Sequence, residues 1–446
     1  MPASNISGLV SGMDSNAIID AMKGVKEIQI KKLEAQKAGI ESQISKVGTI
    51  KSGMKDLTSF LEDFKTDDEV IKYTGSTSDE DVMTVSTGAG ALPGKYNIEV
   101  TKLAELEKNR SDSFSATTDE VKAGTITLTV LEEDPVEIEV TDGMTMSEVA
   151  DAINASDAEV FASIINDGTN VYLQISAKET GHVIGGNAND AIIIEENYTG
   201  GTGQQLNLTQ ISTAANAEMT VDGLTVESTS NNVSEVFEGI TLELKELGTA
   251  SVTVEPDKAG TRENLEAYVS AFNEAYIPIS RELKVTEDTD YGSSLAGDSS
   301  IKRLKLAMQT NISSIIPGTT GSWKALSEIG IEIDPTGKLT IDSDKMDEAL
   351  DKDIAGIADL FTAEDTGISD RLINIMDPYI EDLEGTFKEK VESFNDRIDL
   401  IDDEIEDQRW RIEKMVMRLT MQFANMEMAV QNINSQGGAL AGLAAQ

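Results

Sequence analysis

The stretch "VESFNDRIDLIDDEIEDQRWRIEKMVMRLTMQFANMEMAVQNI", residues 391–433, has an apolar residue at every seventh position. These a positions are Val391, Ile398, Ile405, Ile412, Leu419, Met426 and Ile433, and the d positions include Phe394, Ile401, Met415 and Ala429. Such spacing is typical of a helix packed along another helix. Asp377 and Pro378 predict the cap and first position of this helix, and a break near Gly385 is the alternative. From Tyr379 to Ile433 it would be about 80 Å long, which favours a projecting helix over a bundle within one globule.

A matching pattern lies near the other end of the sequence. Leu33, Ile40, Val47, Met54 and Leu61 recur at sevens, and Ile50, Leu57 and Phe64 fill the companion positions. No proline lies between Pro2 and Pro93, and Asp14 is a good N-cap residue, so we expect one long helix to begin there. The two helices enclose a strand-rich middle, so we predict that they form an antiparallel coiled-coil stem. In this stem we expect Ile50, Met54, Leu57 and Leu61 to lie near Val391, Phe394, Ile398 and Ile401.

Glutamines interrupt both heptad patterns towards the ends of the chain. Gln36 and Gln43 occupy d positions in the first helix, and Gln408, Gln422 and Gln436 occur in the second. Polar seam residues weaken pairing and can specify partners. We therefore predict a firm inner coiled coil and plastic leg helices at 1–40 and 408–446. These legs are expected to be partly disordered in the monomer, before about Asp14 and after about Gln436.

The residues between the helices alternate apolar and polar side chains, as strands do. "KYNIEVTKL", "GTITLTVLEEDPVEIEV" and "NVYLQISA" are examples. "MTMSEVADAINA" predicts a short helix that buries Met146, Val149, Ala150 and Ile153. Asp222-Gly223 and the segment 334–337 predict hairpin turns, and the glycine-rich segment 198–205 predicts a linker.

These features predict an α+β multidomain protein in which a β-rich head of two small domains is inserted into the helical stem. The expected stem comprises 41–104 and 262–407. The expected head domains are 105–205 and 206–261.

Composition excludes several classes of function. Lys and Arg number 36 against 80 Asp and Glu, so the formal net charge is −44. Such a charge repels nucleic acid and anionic membrane surfaces. There is no cysteine for disulfides or thiolate chemistry. No apolar run approaches the roughly 18 residues of a membrane-spanning helix, so we expect no membrane insertion.

No group of residues predicts catalysis. His182 is the single histidine, which excludes a histidine pair at a metal site within one chain, and we expect it in an exposed loop. The glycine-rich stretches lack the P-loop lysine. Residues 287–290 are acidic but lack the glycine and terminal glutamate of an EF-hand loop. We therefore expect no enzyme activity, no cofactor and no metal.

Several segments resemble the bacterial flagellar filament cap family, hook-associated protein type 2. The opening "ISGLVSGMDSNAIIDAMKGVKEIQIKKLEAQKAGI" is similar to the start of that family, and "NINSQGG" is similar to its end. "PGKYNIEVTKLAELEKNRS", "MTVDGLTVESTSNNVSEVFEGITLEL" and "LSEIGIEIDPTGKLTIDSDKM" resemble internal segments. Residues 124–176 look like the flagellin-type insertion motif, with strands around an "AIN" helix. The strongly acidic balance is not a feature of the family.

The resemblance implies a structural protein at the distal tip of the flagellar filament, where it helps flagellin to fold and polymerise and prevents loss of exported flagellin. It implies a ring of four to six subunits, contact with flagellin and an export chaperone. It also implies export through the flagellar secretion apparatus without a cleaved signal, with residues 6–22 ordered only against neighbours. Two alternatives are another axial flagellar subunit and a surface adhesin.

Overall fold

The computed structural model describes residues 12–131, 133–363 and 365–444, and the side chains up to residue 437. The chain divides into two compact units, a helical unit of residues up to Val70 and from Arg262 onward, and a β-rich unit of Ile71–Thr261. The α+β multidomain class is confirmed. The predicted stem segment 41–104 is wrong beyond Val70, because residues 71–104 form strands of the β-rich unit. Of the chain ends predicted to be disordered in the single chain, residues 1–11, 445 and 446 lie outside the described residues. Residues 15–22 and 437–444 are helical in the single chain, which corrects the expected disorder of these parts.

The helical unit is dominated by two long helices, which begin and end the described chain. Asp14 caps the first one, as predicted, with its side chain accepting a hydrogen bond from the Ala17 N–H at 3.0 Å. The helices are α1 (Ser15–Asp63), α2 (Asp67–Val70), α4 (Lys258–Glu282), α5 (Ser299–Ser313), α6 (Ser343–Lys352), α7 (Ile354–Thr362), α8 (Ile368–Ile380) and α9 (Thr386–Ala444). The 3-10 helix Leu326–Ile329 and the hairpin β16 (Ile331–Ile333) and β17 (Leu339–Ile341) interrupt them.

The last long helix begins later than predicted. Pro378 lies inside α8, not at the first position of α9, and the chain breaks after Ile380 before α9 starts at Thr386. The Gly385 N–H donates to the Glu381 carbonyl in this break. The alternative of a break near Gly385 is therefore the observed one.

An aromatic core closes the end of α1 that is distant from the terminus. Phe64 makes an edge-on contact with Phe361 of α7, with ring centroids 5.3 Å apart, and lies 5.7 Å from the ring of Tyr268 in α4. Burial of these rings is a large source of hydrophobic stabilisation. The C-terminal end of α1 is therefore held by α4 and α7.

The β-rich unit contains two domains with separate hydrophobic cores. The first β domain, residues 105–213, has two antiparallel sheets, ordered β10-β4-β8-β7 and β6-β5-β9. Its elements are β4 (Lys108–Arg110), β5 (Ala123–Val130), β6 (Val136–Val140), α3 (Met146–Asn154), β7 (Val160–Asn166), β8 (Val171–Ala177), β9 (Ile192–Gly200) and β10 (Thr209–Ser212). Both sheets and α3 contribute to one core. Met146, Val149, Ala150 and Ile153 are buried in it, as predicted.

The second β domain comprises residues 71–104 and 214–261, so it is built from two separate parts of the sequence. Its sheets are ordered β1-β15-β3-β11-β12 and β13-β14-β2. The strands are β1 (Lys72–Thr77), β2 (Met83–Thr87), β3 (Gly94–Lys102), β11 (Ala217–Val221), β12 (Leu224–Ser228), β13 (Asn232–Phe237), β14 (Ile240–Leu244) and β15 (Gly248–Asp257). Asp222 and Gly223 form the predicted turn between β11 and β12, both with positive φ. The predicted domain 206–261 therefore lacked three strands.

The segment 198–205 is not a linker. The Tyr198 hydroxyl donates to a Glu196 carboxylate oxygen at 2.6 Å and accepts from the Leu206 N–H at 2.8 Å. Val121 and Gln204 form a parallel bridge, and Leu206 is fully buried. The glycines allow the backbone to pass close to a neighbouring segment of the first β domain. At Gly203, for example, a Cβ would lie 2.4 Å from a Val121 backbone atom. The boundary between the β domains consequently falls near residue 213, not 205.

Candidate functional site: the paired terminal helices

Ion pairs establish how α1 and α9 are aligned. Lys37 contacts Asp402 at 2.6 Å, and Glu34 contacts Arg409 at 3.0 Å. Contacts therefore move towards the start of α1 as α9 proceeds, so the helices are antiparallel. Lys55 contacts Asp382, just before α9, at 2.8 Å.

This alignment corrects the predicted register. Because Lys37 lies opposite Asp402 and Lys55 opposite Asp382, the inner part of α9 from Val391 to Ile401 lies opposite the middle of α1. The prediction that this part of α9 lies opposite Leu57 and Leu61 is therefore wrong. A heptad pattern repeats, so its spacing alone does not select one register.

The structure places the predicted seam residues in three groups. Buried residues are Ile40, Val47, Ile50, Met54, Leu57, Leu61, Phe64, Ile405 and Ile412. Half-buried residues are Leu33, Val391, Phe394, Ile398, Ile401, Met415, Leu419 and Met426. Ile433 is 67% exposed, which contradicts its assignment to the seam. In this alignment Ser15, the first residue of α1, lies opposite the part of α9 that precedes Ile433, so no described residue of α1 faces it.

The outer parts of the two helices have a small core of their own. Ile30 of α1 packs with Ile405 and Ile412 of α9, and Leu33, Ile401 and Val416 surround this cluster. Ile30 stands outside the predicted heptad positions. The outer seam is therefore paired in the single chain, with fewer buried side chains than the inner part of α1.

An open groove lies over this outer seam, with a volume of about 730 Å³. Apolar side chains line its floor and charged side chains line its rim. The lining residues are Ile19, Asp20, Lys23, Glu27, Ile30, Lys31, Glu34, Arg409, Ile412, Glu413 and Val416. Such a surface suits an amphipathic helix, which could place an apolar face on the floor and polar residues at the rim.

A second apolar surface of α9 faces away from the seam. This outer stripe consists of Trp410, Met417, Met421 and Met428, all between 52% and 59% exposed. Their spacings of seven, four and seven place them on one helix face. The sequence contained this signal, but the predicted heptad did not include these residues. Exposed apolar side chains that share one face of a helix are typical of an interaction site.

On α1, Met22, Val25 and Ile28 are also exposed, with values between 46% and 65%. Both legs therefore present apolar side chains that the single chain leaves open to solvent.

Electrostatic contacts support the pairing at its inner end. Hydrogen bonds and charge attraction from Lys51 and Lys55 lower the pKa of Asp382 to about 2. At the outer end, the hydrogen bond to Asp402 is the main reason that the pKa of Lys37 is raised. Asp382 therefore remains ionised over the physiological pH range and holds α1 near the start of α9.

The positions singled out for chemistry do not converge on a reactive site. His182 is only half-buried, with Nδ1 at 2.9 Å from the Val183 carbonyl oxygen of its own loop. Among the described residues, no group of three or more acidic or histidine side chains is arranged to hold a metal ion. Within residues 12–444, apart from the two gaps, no helix is long and apolar enough to cross a membrane.

The fold and these surfaces define a structural assembly subunit, with paired terminal helices that expose apolar faces and an inserted β-rich unit. Residues 11–107 match the family described as Flagellar hook-associated protein 2 N-terminus, and residues 214–435 match its C-terminus. Residues 120–179 match the Flagellin hook IN motif. The chain belongs to the flagellar hook-associated protein 2 family, the flagellar filament cap proteins, which are structural and not enzymes.

Individual relatives cover nearly the whole chain. The A-type flagellar hook-associated protein 2 of Pseudomonas aeruginosa is 30% identical over 98% of this chain and 97% of its own. The flagellar hook-associated protein 2 of Escherichia coli K12 is 26% identical over 96% of this chain and 95% of its own. The crystal structure of the Escherichia coli flagellar cap protein FliD D1-D2-D3 domains superposes with a TM-score of 0.62. It is 25% identical and covers 78% of this chain and 99% of that structure. These matches support the cap role over the axial-subunit and adhesin alternatives.

Proposed function

We propose that this chain caps the distal end of the flagellar filament through the outer parts of α1 and α9. In this role it promotes the folding and polymerisation of arriving flagellin and prevents loss of exported subunits. The observation that carries the proposal is the outer stripe of Trp410, Met417, Met421 and Met428, which α1 does not cover. A cap needs leg surfaces that are open in the single subunit and buried against neighbours or filament.

The chemistry of the stripe suits a surface that changes during filament growth. Three of its four members are methionines, which are unbranched and adapt to differently shaped partners. The charged rim of the groove over the outer seam adds polar contacts around an apolar centre. Together these features favour reversible binding to partners of different shape over a permanent contact with one partner.

We also propose a subunit number for the assembly, two further partners and a route of export. The subunits form a ring of four to six copies at the filament tip, in contact with flagellin. A flagellar export chaperone binds the chain before export, which proceeds through the flagellar secretion apparatus without a cleaved signal peptide. The native mass of the purified assembly, measured over a range of salt concentrations, tests the subunit number.

Electron microscopy and an elongation assay test the main proposal. The purified protein is expected to form small closed rings, and addition of these rings to short filaments should increase elongation from monomeric flagellin. A filament built of this chain alone would instead indicate an axial subunit. Rings that neither bind filament ends nor increase elongation would contradict the cap proposal.

A further inference from the structure

The first β domain has two sheets whose outer faces point away from a shared core. Leu173 and Ile175 of β8 and Ile126 and Leu128 of β5 are buried in the same cluster. Because side chains alternate along a strand, the intervening residues of each sheet face outward. The domain therefore presents two separate open sheet faces.

The outer face of the sheet β10-β4-β8-β7 is basic and aromatic. This basic face comprises Lys108 and Arg110 of β4, Phe161 of β7, Tyr172 of β8 and the following Lys178. Lys108 and Phe161 are both aligned with Ser176 of β8, so they lie in one row across the three strands. The Arg110 guanidinium carbon lies 5.3 Å from the Tyr172 ring centre, and the Lys178 ammonium lies 5.8 Å from that of Phe161.

Two carboxylates border the basic face. Glu159 contacts Lys178 at 3.3 Å, and Asp167 accepts a hydrogen bond from the Tyr172 hydroxyl at 3.1 Å. Neither contacts Lys108 or Arg110 among the described interactions. The centre of the face is consequently positive in a chain whose net charge is −44.

The outer face of the other sheet, β6-β5-β9, is acidic. Glu137 and Glu139 of β6 and Glu195 of β9 flank a row of threonines on β5, and Thr127 is aligned with both Glu137 and Glu195. All three glutamates are exposed. The strands β5, β6 and β9 contain no lysine or arginine. This acidic face has the opposite charge to the basic face of the same domain.

We infer that neighbouring subunits associate through their first β domains, with the basic face of one copy against the acidic face of the next. This inference rests on the ring assembly proposed above and specifies how its subunits contact one another. Each copy uses two different faces, so the contact is heterologous and generates a ring when the rotation closes. The charge complementarity selects a second copy of this chain as the occupant of both faces.

The size of the faces indicates how strong each contact is. Four strands spaced about 4.8 Å apart, with up to seven residues at about 3.3 Å each, present roughly 400 Å². This is about half of the roughly 800 Å² that each partner contributes to a standard stable interface. A single contact is therefore weak, and ring closure together with the leg contacts makes the assembly stable.

Salt dependence alone does not test this contact. Screening weakens the attraction between the two faces but also weakens the repulsion between chains of net charge −44. A pair of charge-reversal variants separates these effects, because like-charged variants repel themselves and attract each other.

The experiment uses the full chain in two variants, Lys108→Glu/Arg110→Glu and Glu137→Lys/Glu139→Lys, with native mass measured against concentration. Each variant alone should associate about tenfold or more weakly than the unmodified chain, and a 1:1 mixture should associate again. Recovery in the mixture also demonstrates that both variants are folded. Lys95→Glu/Lys102→Glu, on exposed positions of β3, changes the net charge by the same amount as Lys108→Glu/Arg110→Glu and should assemble as the unmodified chain does.

Assembly of either variant alone at unmodified strength, no recovery in the mixture, or equal weakening by the β3 control would overturn the inference. Loss of filament or glycan binding without a change in assembly would assign the faces to another partner and would equally overturn it. In all of these cases an unmodified chain that still forms rings leaves the proposed cap function intact. Failure of the unmodified chain to form rings would instead contradict that proposal.

Discussion

At the scale of single residues, Asp382 has a larger role than its exposed position suggests. It contacts Lys51 and Lys55 of α1 at 2.8 Å each, although it lies outside any helix. Apolar heptad residues can pair in several registers, whereas an ion pair between fixed positions satisfies only one. Asp382 therefore helps to select the alignment in which the inner part of α9 faces the middle of α1.

Replacement of Asp382 by Asn should make the stability of the helical unit less sensitive to acid. The pKa of Asp382 is lowered to about 2 in the folded chain, against about 3.9 for an unfolded aspartate. Its contribution is therefore fully present above about pH 4 and is lost as the pH falls towards 2. Urea unfolding at several pH values between 7 and 2.5 measures this.

The unmodified chain should exceed Asp382→Asn in stability at pH 7, and the difference should shrink below pH 4. Glu384→Gln is the matched control, because Glu384 is an exposed neighbouring carboxylate with no ion pair among the described residues. A difference between Asp382→Asn and the unmodified chain that is unchanged down to pH 2.5 would show that the ion pairs contribute nothing.

At the scale of elements, local patterns correctly predicted the start of α1, the buried face of α3 and two hairpin turns. The α3 face, the Asp14 cap and the two hairpin turns each depend on a few neighbouring residues. The start of α9 could not be predicted in this way. The heptad pattern begins only at Val391, and α8 precedes it closely enough for Pro378 to resemble the first residue of α9.

The register of α1 and α9 depended on more distant residues. Phe64 and its neighbours pack in an aromatic core with α4 and α7, which removes them from the coiled-coil seam. The sequence spacing of α1 contains no information on partners that lie hundreds of residues away. For the legs, the sequence predicted only weaker pairing along the seam. The outer stripe was missed because it lies on the face of α9 opposite to the seam.

Truncation of seam residues should produce graded losses of stability along α1. Leu57 is 1% exposed, so Leu57→Ala should lower the free energy of unfolding by ~2–5 kcal/mol. Leu33 and Ile398 are half-buried, and Leu33→Ala and Ile398→Ala should each cost less than Leu57→Ala. Denaturant melts of the three variants measure the order. A Leu33→Ala loss equal to that of Leu57→Ala would contradict the weaker outer seam.

The outer stripe should affect capping without affecting the fold. Met421→Ser/Met428→Ser changes exposed side chains, so the unfolding free energy should stay within about 0.5 kcal/mol of the unmodified value. Filament elongation should fall sharply, because the stripe loses its apolar contacts. Leu400→Ser is the control, since Leu400 is 67% exposed on the inner part of the same helix. Equal elongation by the stripe variant and this control would exclude the stripe from capping.

At the scale of the whole molecule, chain connectivity concealed the true domain plan. The second β domain joins strands from 72–102 to strands from 217–257, with the whole first β domain inserted between them. The strand β15, for example, pairs with both β1 and β3. Pairings across such distances leave no periodic signal, so the expected head, residues 105–261, omitted part of its own core.

Fragments with different starting points should therefore behave differently when expressed alone. The fragment 71–261 contains all strands of both β domains and should fold, with a β-rich circular dichroism spectrum and a cooperative thermal transition. The fragment 105–257 lacks β1, β2 and β3, which leaves β15 without neighbours and β14 without one of its two. It also lacks core residues such as Met83, Ile98 and Val100. The free energy of burial lost with several buried side chains exceeds the ~5–15 kcal/mol by which a typical domain is stable.

In the shorter fragment only the first β domain should therefore remain folded, and residues 214–257 should be digested rapidly by protease. The fragment 105–213 provides the control, because both of its sheets and α3 are complete. It should have the same protected core as 105–257. If 105–257 resists protease over its full length, the strands from 72–102 are not needed for the second core, and the earlier sequence-based boundary would be restored.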